Sequence, residues 1–421
     1  MLSRFREQIK NLGIYFLAAL IPMLASLVSN PFIARNLSPE DYAIVGYYSA
    51  FSTLFLPFVN FYLLHYYTKR YFEVTDDHRI CLKAMLFKAL IVFSTILAIV
   101  ALVALAGYSS IFNENSEMPF YPYAFIAILS LPISGIYTLH LVDLRMSRRS
   151  LDFFKLSVSN GLLTVLITLL FVVIFKWGAA GKMMATLFAS TMIFMYVLLI
   201  NRSLLKVSFD FSEFKQAVKF CWPLVLASML TFFSSGYDKV YLERSGDMDM
   251  LGLYTVGFSI AAYLNVFASS INDTFQPDIF KNVVQKNFKK TLIYVLIKIL
   301  IMSVVVLMFI VLAPFIIKVL TFGRYEAASP YARIISLSCL TSMLYYSMSQ
   351  ITVALGMTSI TLINKIIGSV LSICCFNLLI SKFSAIGAAW GCVLSYMFLF
   401  LGNVVLVLIK KKNENRNFNV S

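Results

Sequence analysis

LIYVLIKILIMSVVVLMFIVLAPFIIKVL, residues 292–320, carries only two charges, Lys298 and Lys318. The stretch between those lysines is wholly apolar or neutral. About 20 such residues in a helix cross a hydrocarbon layer about 30 Å thick, so this segment is a membrane span. The rest of the chain has the same character. Of its 421 residues 60% are hydrophobic and 13% charged, far short of the polar surface a water-soluble domain needs. Strand-like alternation is absent, which excludes an outer-membrane barrel.

Apolar runs of this kind recur at 12–34, 42–65, 84–108, 121–142, 154–175, 180–200, 218–241, 251–275, 292–320, 331–354, 366–381 and 387–409. The expected fold is therefore an all-α integral membrane protein of about twelve transmembrane helices. Lys and Arg in short loops resist translocation and set the orientation. With a cytoplasmic N-terminus, 24 of the 35 cations fall on the inner side and nine on the outer, while Lys88 and Lys298 lie inside spans. Both termini are expected to be cytoplasmic. The net charge of +15 then belongs to the inner membrane face, where it meets anionic headgroups. Nothing here forms a folded basic domain, so nucleic acid is not an expected partner. No cleavable signal peptide is expected, because the first apolar run is long and lacks a small-residue cleavage site.

The two halves resemble each other. PEDYAIVGYYSAFS (39–52) pairs with DMLGLYTVGFSIAAY (249–263), Val45 falling on Val256 at an offset of 211. WGAAGKMMA (177–185) pairs with IGAAWGCVLS (386–395), Gly178 falling on Gly387 at an offset of 209. A parallel six-plus-six duplication follows, with lobes at 1–205 and 218–421 and a cytoplasmic linker at 206–217. Two such lobes facing each other suit alternating access by rocking. Prolines inside spans (Pro22, Pro57, Pro132, Pro223 and Pro314) are expected to kink their helices.

FIARNLSPEDYAIVGYYSAF (32–51) resembles the helix 1–2 junction of polysaccharide flippases. WPLVLASMLTFFSSGYDKVYLERSGDMDMLGLYTVGFSIA (222–261), FQPDIFK (275–281) and SAIGAAWGCVLSY (384–396) resemble later segments of the same family, in order. That family is the O-antigen or capsular oligosaccharide (Wzx-like) flippase branch of the MOP superfamily, which also holds the MATE drug exporters. Tyr42 and Ala43 depart from its pattern, where a glycine is common. The resemblance implies two six-helix lobes in a bacterial inner membrane. It also implies transfer of an undecaprenyl-pyrophosphate-linked repeat unit between leaflets, beside other polysaccharide-assembly membrane proteins.

Moving two phosphates through a low-dielectric layer requires a hydrated path lined by cations. The candidate substrate and gating residues are Arg35, Asp238, Lys239, Lys298, Arg324 and Lys365. Arg35 closes helix 1, and Asp238 and Lys239 close helix 7. These three are expected to form a charged latch between lobes, with Asp238 taking a coupling ion, H⁺ or Na⁺. Lys298 sits well inside helix 9, where an ammonium requires a cavity or a partner. Arg324 and Arg333 flank the outer ends of helices 9 and 10, with Tyr325 and Tyr331 as sugar platforms. Lys365 stands in the last inner loop, at the mouth of helix 11. Tyr47, Tyr48, Tyr62, Tyr66 and Tyr67 form the cluster expected to reach the lumen. Lys88 is expected to snorkel toward the inner face.

A MATE-like cation-coupled drug or metabolite exporter is the alternative reading. It would want a carboxylate well inside helix 1, and helix 1 has no acid between Asn11 and Ala34. An enzyme would need an activated nucleophile or a positioned acid/base pair on an outer loop. The largest such loop, 109–120, contains no His, Lys or Arg. His65, His78 and His140 lie far apart, and the six cysteines read as packing residues, so neither a metal nor a cofactor is expected.

Overall fold

The computed structural model describes residues 2–71, 73–112, 118–244, 246–355 and 357–418. Residues 113–117 of the 109–120 loop lie outside this set, as do the side chains of Arg4, Arg6, Lys10, Lys410, Lys411, Lys412 and Arg416, counted above for orientation. Among the described residues every regular element is helical, and ten segments are long and apolar enough to cross a membrane. The chain forms two compact units, Met1–Met229 and Leu230–Ser421.

The first unit holds α1 (Leu2–Asn36), α2 (Pro39–Val59), α3 (Leu63–Arg70), α4 (Asp76–Phe112), α5 (Tyr123–Met146), α6 (Ser150–Thr168), α7 (Gly178–Ile200) and α8 (Phe211–Met229). The second holds α9 (Phe232–Ser235), α10 (Tyr237–Glu243), α11 (Met248–Ala261), α12 (Leu264–Val284), α13 (Phe288–Thr321), α14 (Ser329–Ala354) and α15 (Thr358–Phe418). Ser384, with φ 49° and ψ −130°, breaks α15 into two arms. Helix starts recur at a nearly constant spacing: α8 begins 209 residues after α1, α11 209 after α2, α13 212 after α4, and α15 208 after α6. By that order α8 answers to α1, yet it packs on α2, α3 and α4 of the first unit.

Pro22 shows how the helices accommodate a missing donor. Proline has no N–H, so the carbonyl four residues earlier, that of Ala18, loses its helical partner. Ser157 of α6 supplies one, its hydroxyl donating to the Ala18 carbonyl at 3.2 Å. Gly161, one turn along α6, makes room for the proline ring: a Cβ there would stand 2.4 Å from Pro22 Cβ. In lipid a freed backbone group must be met from inside the protein, and α1 packs along α6 in a way that does so.

Helices expected at 42–65 and 218–241 are each interrupted. The first stops at Asn60, where Phe61 and Tyr62 take left-handed φ of 47° and 52° before α3 resumes. The Cys221 thiol donates to the Tyr62 carbonyl at 3.3 Å, and the Tyr62 hydroxyl donates to Ser228 Oγ at 2.9 Å. The second becomes α8, α9 and α10, divided at Leu230–Thr231 and again at Gly236.

At its start α2 is held by a capping box. Ser38 Oγ accepts from the Asp41 N–H, and Asp41 Oδ2 accepts from the Ser38 N–H at 2.8 Å. The other oxygen of Asp41 accepts from the Ala179 N–H at 2.7 Å, so one carboxylate caps both α2 and α7. Gly178 beside it has φ +55° and no space for a Cβ, which would meet Asp41 Oδ1 at 2.5 Å.

Candidate functional site

The second unit concentrates its polar groups where its helices are interrupted. Between α8 and α9 the helix tightens into turns at Leu230 and Thr231, whose carbonyls accept from the Phe233 and Ser234 N–H groups at 3.3 and 3.0 Å, and side chains from elsewhere add further contacts. The first arm of α15 provides them. Ser369 Oγ lies 3.1 Å from the Leu230 carbonyl, and Lys365 Nζ donates to Thr231 Oγ1 at 3.2 Å. A cavity of about 20 Å³, room for one water, adjoins them and is lined also by Ser234, Tyr345, Tyr346 and Tyr396. Lys365 was expected in a loop. It sits instead two turns into α15, because that helix starts at Thr358, ahead of the apolar run that marks it in the sequence.

Asp238 and Lys239 are buried, at 0% and 3% exposure, in α10. Asp238 Oδ2 receives the Tyr254 hydroxyl of α11, lies 3.5 Å from Lys239 Nζ and 3.6 Å from Cys392 Sγ of α15's second arm. Its Oδ1 takes no hydrogen bond among the described residues. Lys239 Nζ also stands over the Phe258 ring, 3.4 Å from its centre, a cation–π contact that offsets part of its desolvation. Asp238 is thus engaged by groups of its own unit.

Lys298 is fully buried in α13. Its ammonium donates to Asn272 Oδ1 of α12 at 2.8 Å and lies 3.5 Å from Gln350 Oε1 of α14, while Gln350 Nε2 donates to Asn272 Oδ1 at 3.1 Å. Three helices are tied by one polar knot. Arg324 is exposed beside the Tyr325 ring, 5.6 Å from its centre, and Arg333 is exposed on α14. Tyr325 itself is buried at 1% exposure and offers no platform for a sugar, whereas Tyr331 is half-buried against Tyr254.

In the first unit Arg35 is exposed at the end of α1. Lys88 reaches the Val207 carbonyl. The tyrosine cluster expected in the lumen is mostly buried, with Tyr47, Tyr48, Tyr66 and Tyr67 each at 4% exposure or less. Their hydroxyls find distant partners: Tyr48 donates to the Pro119 carbonyl, Tyr66 to Glu213 at 2.6 Å and Tyr67 to Asp143 at 2.6 Å. Burial, reinforced by the Glu213 carboxylate, pushes the Tyr66 phenol well above its ordinary range, so it stays a donor. Arg70 shares Glu213 at 3.1 Å, and Lys83 shares Asp143 at 2.7 Å.

Sequence reasoning passed over Thr231, Ser369, Asn272, Gln350, Tyr254 and Glu213. Thr231 and Tyr254 lie within segments quoted above for the resemblance without being singled out, and the other four carry no motif. Only Asn272 and Gln350 stand out, as amides within otherwise apolar runs, and a polar group at such a position marks an interhelical contact.

Residues 32–330 fit the polysaccharide biosynthesis protein family. An uncharacterized membrane protein of Haemophilus influenzae is 23% identical over 286 residues, 67% of each chain. Among solved structures, the lipid II flippase MurJ in an inward closed conformation aligns with a TM-score of 0.71 at 15% identity, covering 94% of this chain and 87% of that one. An inward-facing multidrug resistance MATE transporter of the MOP superfamily aligns at 0.68 and 14% identity, covering 94% and 98%. By family match the chain belongs to the polysaccharide biosynthesis protein family, and its fold is that of MurJ and the MATE transporters.

Proposed function

We propose that this protein moves an undecaprenyl-pyrophosphate-linked oligosaccharide from the inner to the outer leaflet of a bacterial inner membrane, in O-antigen or capsule assembly. On this reading twelve spans form two six-helix lobes, 1–205 and 218–421, joined at 206–217, with both termini cytoplasmic. The two lobes alternate access to a hydrated path. Other polysaccharide-assembly membrane proteins supply and consume the substrate.

The observation that carries the reading is the set of lysines inside the helices of the second unit. Lys239, Lys298 and Lys365 are each held in place by polar or aromatic neighbours. Cations at such depth are costly unless function retains them, and they complement a pyrophosphate rather than a cationic drug. Lys365, beside a small cavity where two helices meet in a tight turn, is the residue proposed to meet the headgroup first. Arg35 and Arg324 are the proposed contacts at the helix ends, where a guanidinium fork suits phosphate oxygens. Asp238 is the proposed site of the coupling ion, H⁺ or Na⁺, through its second carboxylate oxygen.

The test is flipping by purified protein in liposomes that carry a fluorescent prenyl-pyrophosphate disaccharide, with dithionite quenching as readout. Transfer faster than in protein-free liposomes is expected, and it falls in Lys365→Ala. Ethidium efflux in a pump-deficient strain without any lipid transfer would establish the MATE-like exporter instead. Reporter fusions at Ser116 and Ser421 read the topology: a cytoplasmic signal at Ser116 or a periplasmic one at Ser421 overturns it.

A further inference from the structure

A second feature of the first unit lies away from all of these residues. Between α5, α6 and α7 runs a groove of about 510 Å³, within the range of small-molecule sites. On α6 it is formed by Asp152, Lys155, Ser159 and Leu163, spaced at three and four residues and therefore on one helical face. On α7 it is formed by Met192, Tyr196 and Ile200, again on one face. The lining of α6 spans 11 residues, about 17 Å at 1.5 Å per residue, close to the length of an extended acyl chain. Its polar end is capped by charge and its other end is apolar. Met192, Tyr196 and Ile200 are each more than half exposed, so the groove opens sideways where lipid lies.

The charges at the polar end select among lipids. Arg149 is neutralised by Asp152, its Nε and Nη2 at 2.9 and 2.8 Å from Oδ2. Lys155 is exposed and makes no hydrogen bond or ion pair among the described residues. Among the residues that line it, one positive charge is therefore left at the head of an acyl-length groove. We infer that this groove binds an anionic phospholipid with a singly charged phosphodiester, its phosphate on Lys155 and one acyl chain along α6 and α7. A pyrophosphate, with at least two charges, is matched less well by a single free ammonium. Basic pockets between membrane helices hold anionic headgroups in this way.

The experiment is native mass spectrometry of the full-length protein, released from nanodiscs of phosphatidylglycerol and phosphatidylethanolamine in equal amounts. The wild type is expected to retain phosphatidylglycerol preferentially. Lys155→Glu lowers that retention about five-fold or more, the Boltzmann factor for about 1 kcal/mol per basic group near the membrane, and leaves phosphatidylethanolamine retention unchanged. Ser159→Trp, which fills the groove without changing charge, lowers retention as well. Circular dichroism and gel filtration confirm that both variants fold; a misfolded Ser159→Trp is replaced by Met192→Trp on the facing wall. Equal retention in wild type and both variants overturns the inference. So does loss of both lipids in parallel in Lys155→Glu, which signals annular contact only. Displacement of phosphatidylglycerol by stoichiometric undecaprenyl pyrophosphate also overturns it, by assigning the groove to the flipped lipid. Because the readout is retained phospholipid, failure here leaves the flipping assay untouched, and the reverse.

Discussion

The Ser157 hydroxyl meets the Ala18 carbonyl because Pro22 has no N–H to give. That makes the two side chains energetically dependent although they share no direct hydrogen bond. With Pro22 in place, Ser157→Ala leaves the carbonyl of buried Ala18 without a donor. Interhelical hydrogen bonds in membrane proteins average about 0.6 kcal/mol and reach about 1.7, so a loss within that range is expected. In a Pro22→Ala background the N–H at position 22 returns, the helical bond to Ala18 reforms, and Ser157→Ala should cost less, only what its hydrogen bond with Tyr137 contributes. The coupling in the double-mutant cycle is thus about 0.6–1.7 kcal/mol, above the roughly 0.3–0.5 kcal/mol within which independent sites add. The assay is reversible unfolding in mixed micelles of dodecyl maltoside and sodium dodecyl sulfate, followed by circular dichroism. Equal costs of Ser157→Ala in the two backgrounds refute the argument. They would show that the serine does not serve the carbonyl that proline releases.

Three further outcomes are expected. Asp238→Ala should destabilise by about 3 kcal/mol or more, since it strands the Lys239 ammonium in the interior, and adding Lys239→Met should recover most of that loss in the same assay. Asp41→Ala removes acceptors from the starts of both α2 and α7 and should cost about 1–2 kcal/mol, with Asp41→Asn losing less; no difference from wild type would mean that the shared cap is energetically silent. Lys298→Met keeps the volume of the side chain while removing its charge, so on the proposed function lipid transfer in the liposome assay is expected to fall while purified yield and unfolding midpoint hold, and undiminished transfer would count against a role for the ammonium.

Spans were legible because hydropathy is additive along a helix: runs such as 292–320 announce themselves without any knowledge of neighbours. Interruptions inside spans were not. Tyr62 sits in a sequence with no turn-forming cluster, Ser234-Ser235-Gly236 marks only the second break after Thr231, and the side chains that reach the backbone at the two breaks, Cys221 and Ser369, lie 159 and 139 residues away. Lys365 illustrates a different blindness. A hydropathy window places the start of a helix where apolar residues begin, but backbone hydrogen bonding starts earlier, at Thr358, and turns an apparent loop lysine into a helical one. The tyrosines misled for a related reason. Aromatic clusters look like ligand platforms until each hydroxyl is matched with its carboxylate, and Glu213 is 147 residues from Tyr66. Asp238, Lys239 and Lys298 were visible because an ionisable group inside an apolar run is conspicuous, while Tyr254, Asn272 and Gln350, which hold them, come from other helices.

The mismatch between repeat order and packing at α8 bears on how the molecule is made. A ribosome delivers residues 1–205 before α8, so for an interval the nascent first unit lacks the helix that covers α2, α3 and α4 and carries Glu213 to Tyr66 and Arg70. The earlier half is therefore not self-sufficient at the point where its own repeat ends. A gene split after residue 205 would yield a fragment with an uncovered face and with Tyr62, Tyr66, Arg70 and Lys88 each short of an acceptor, whereas one split after Met229 would keep the compact first unit whole.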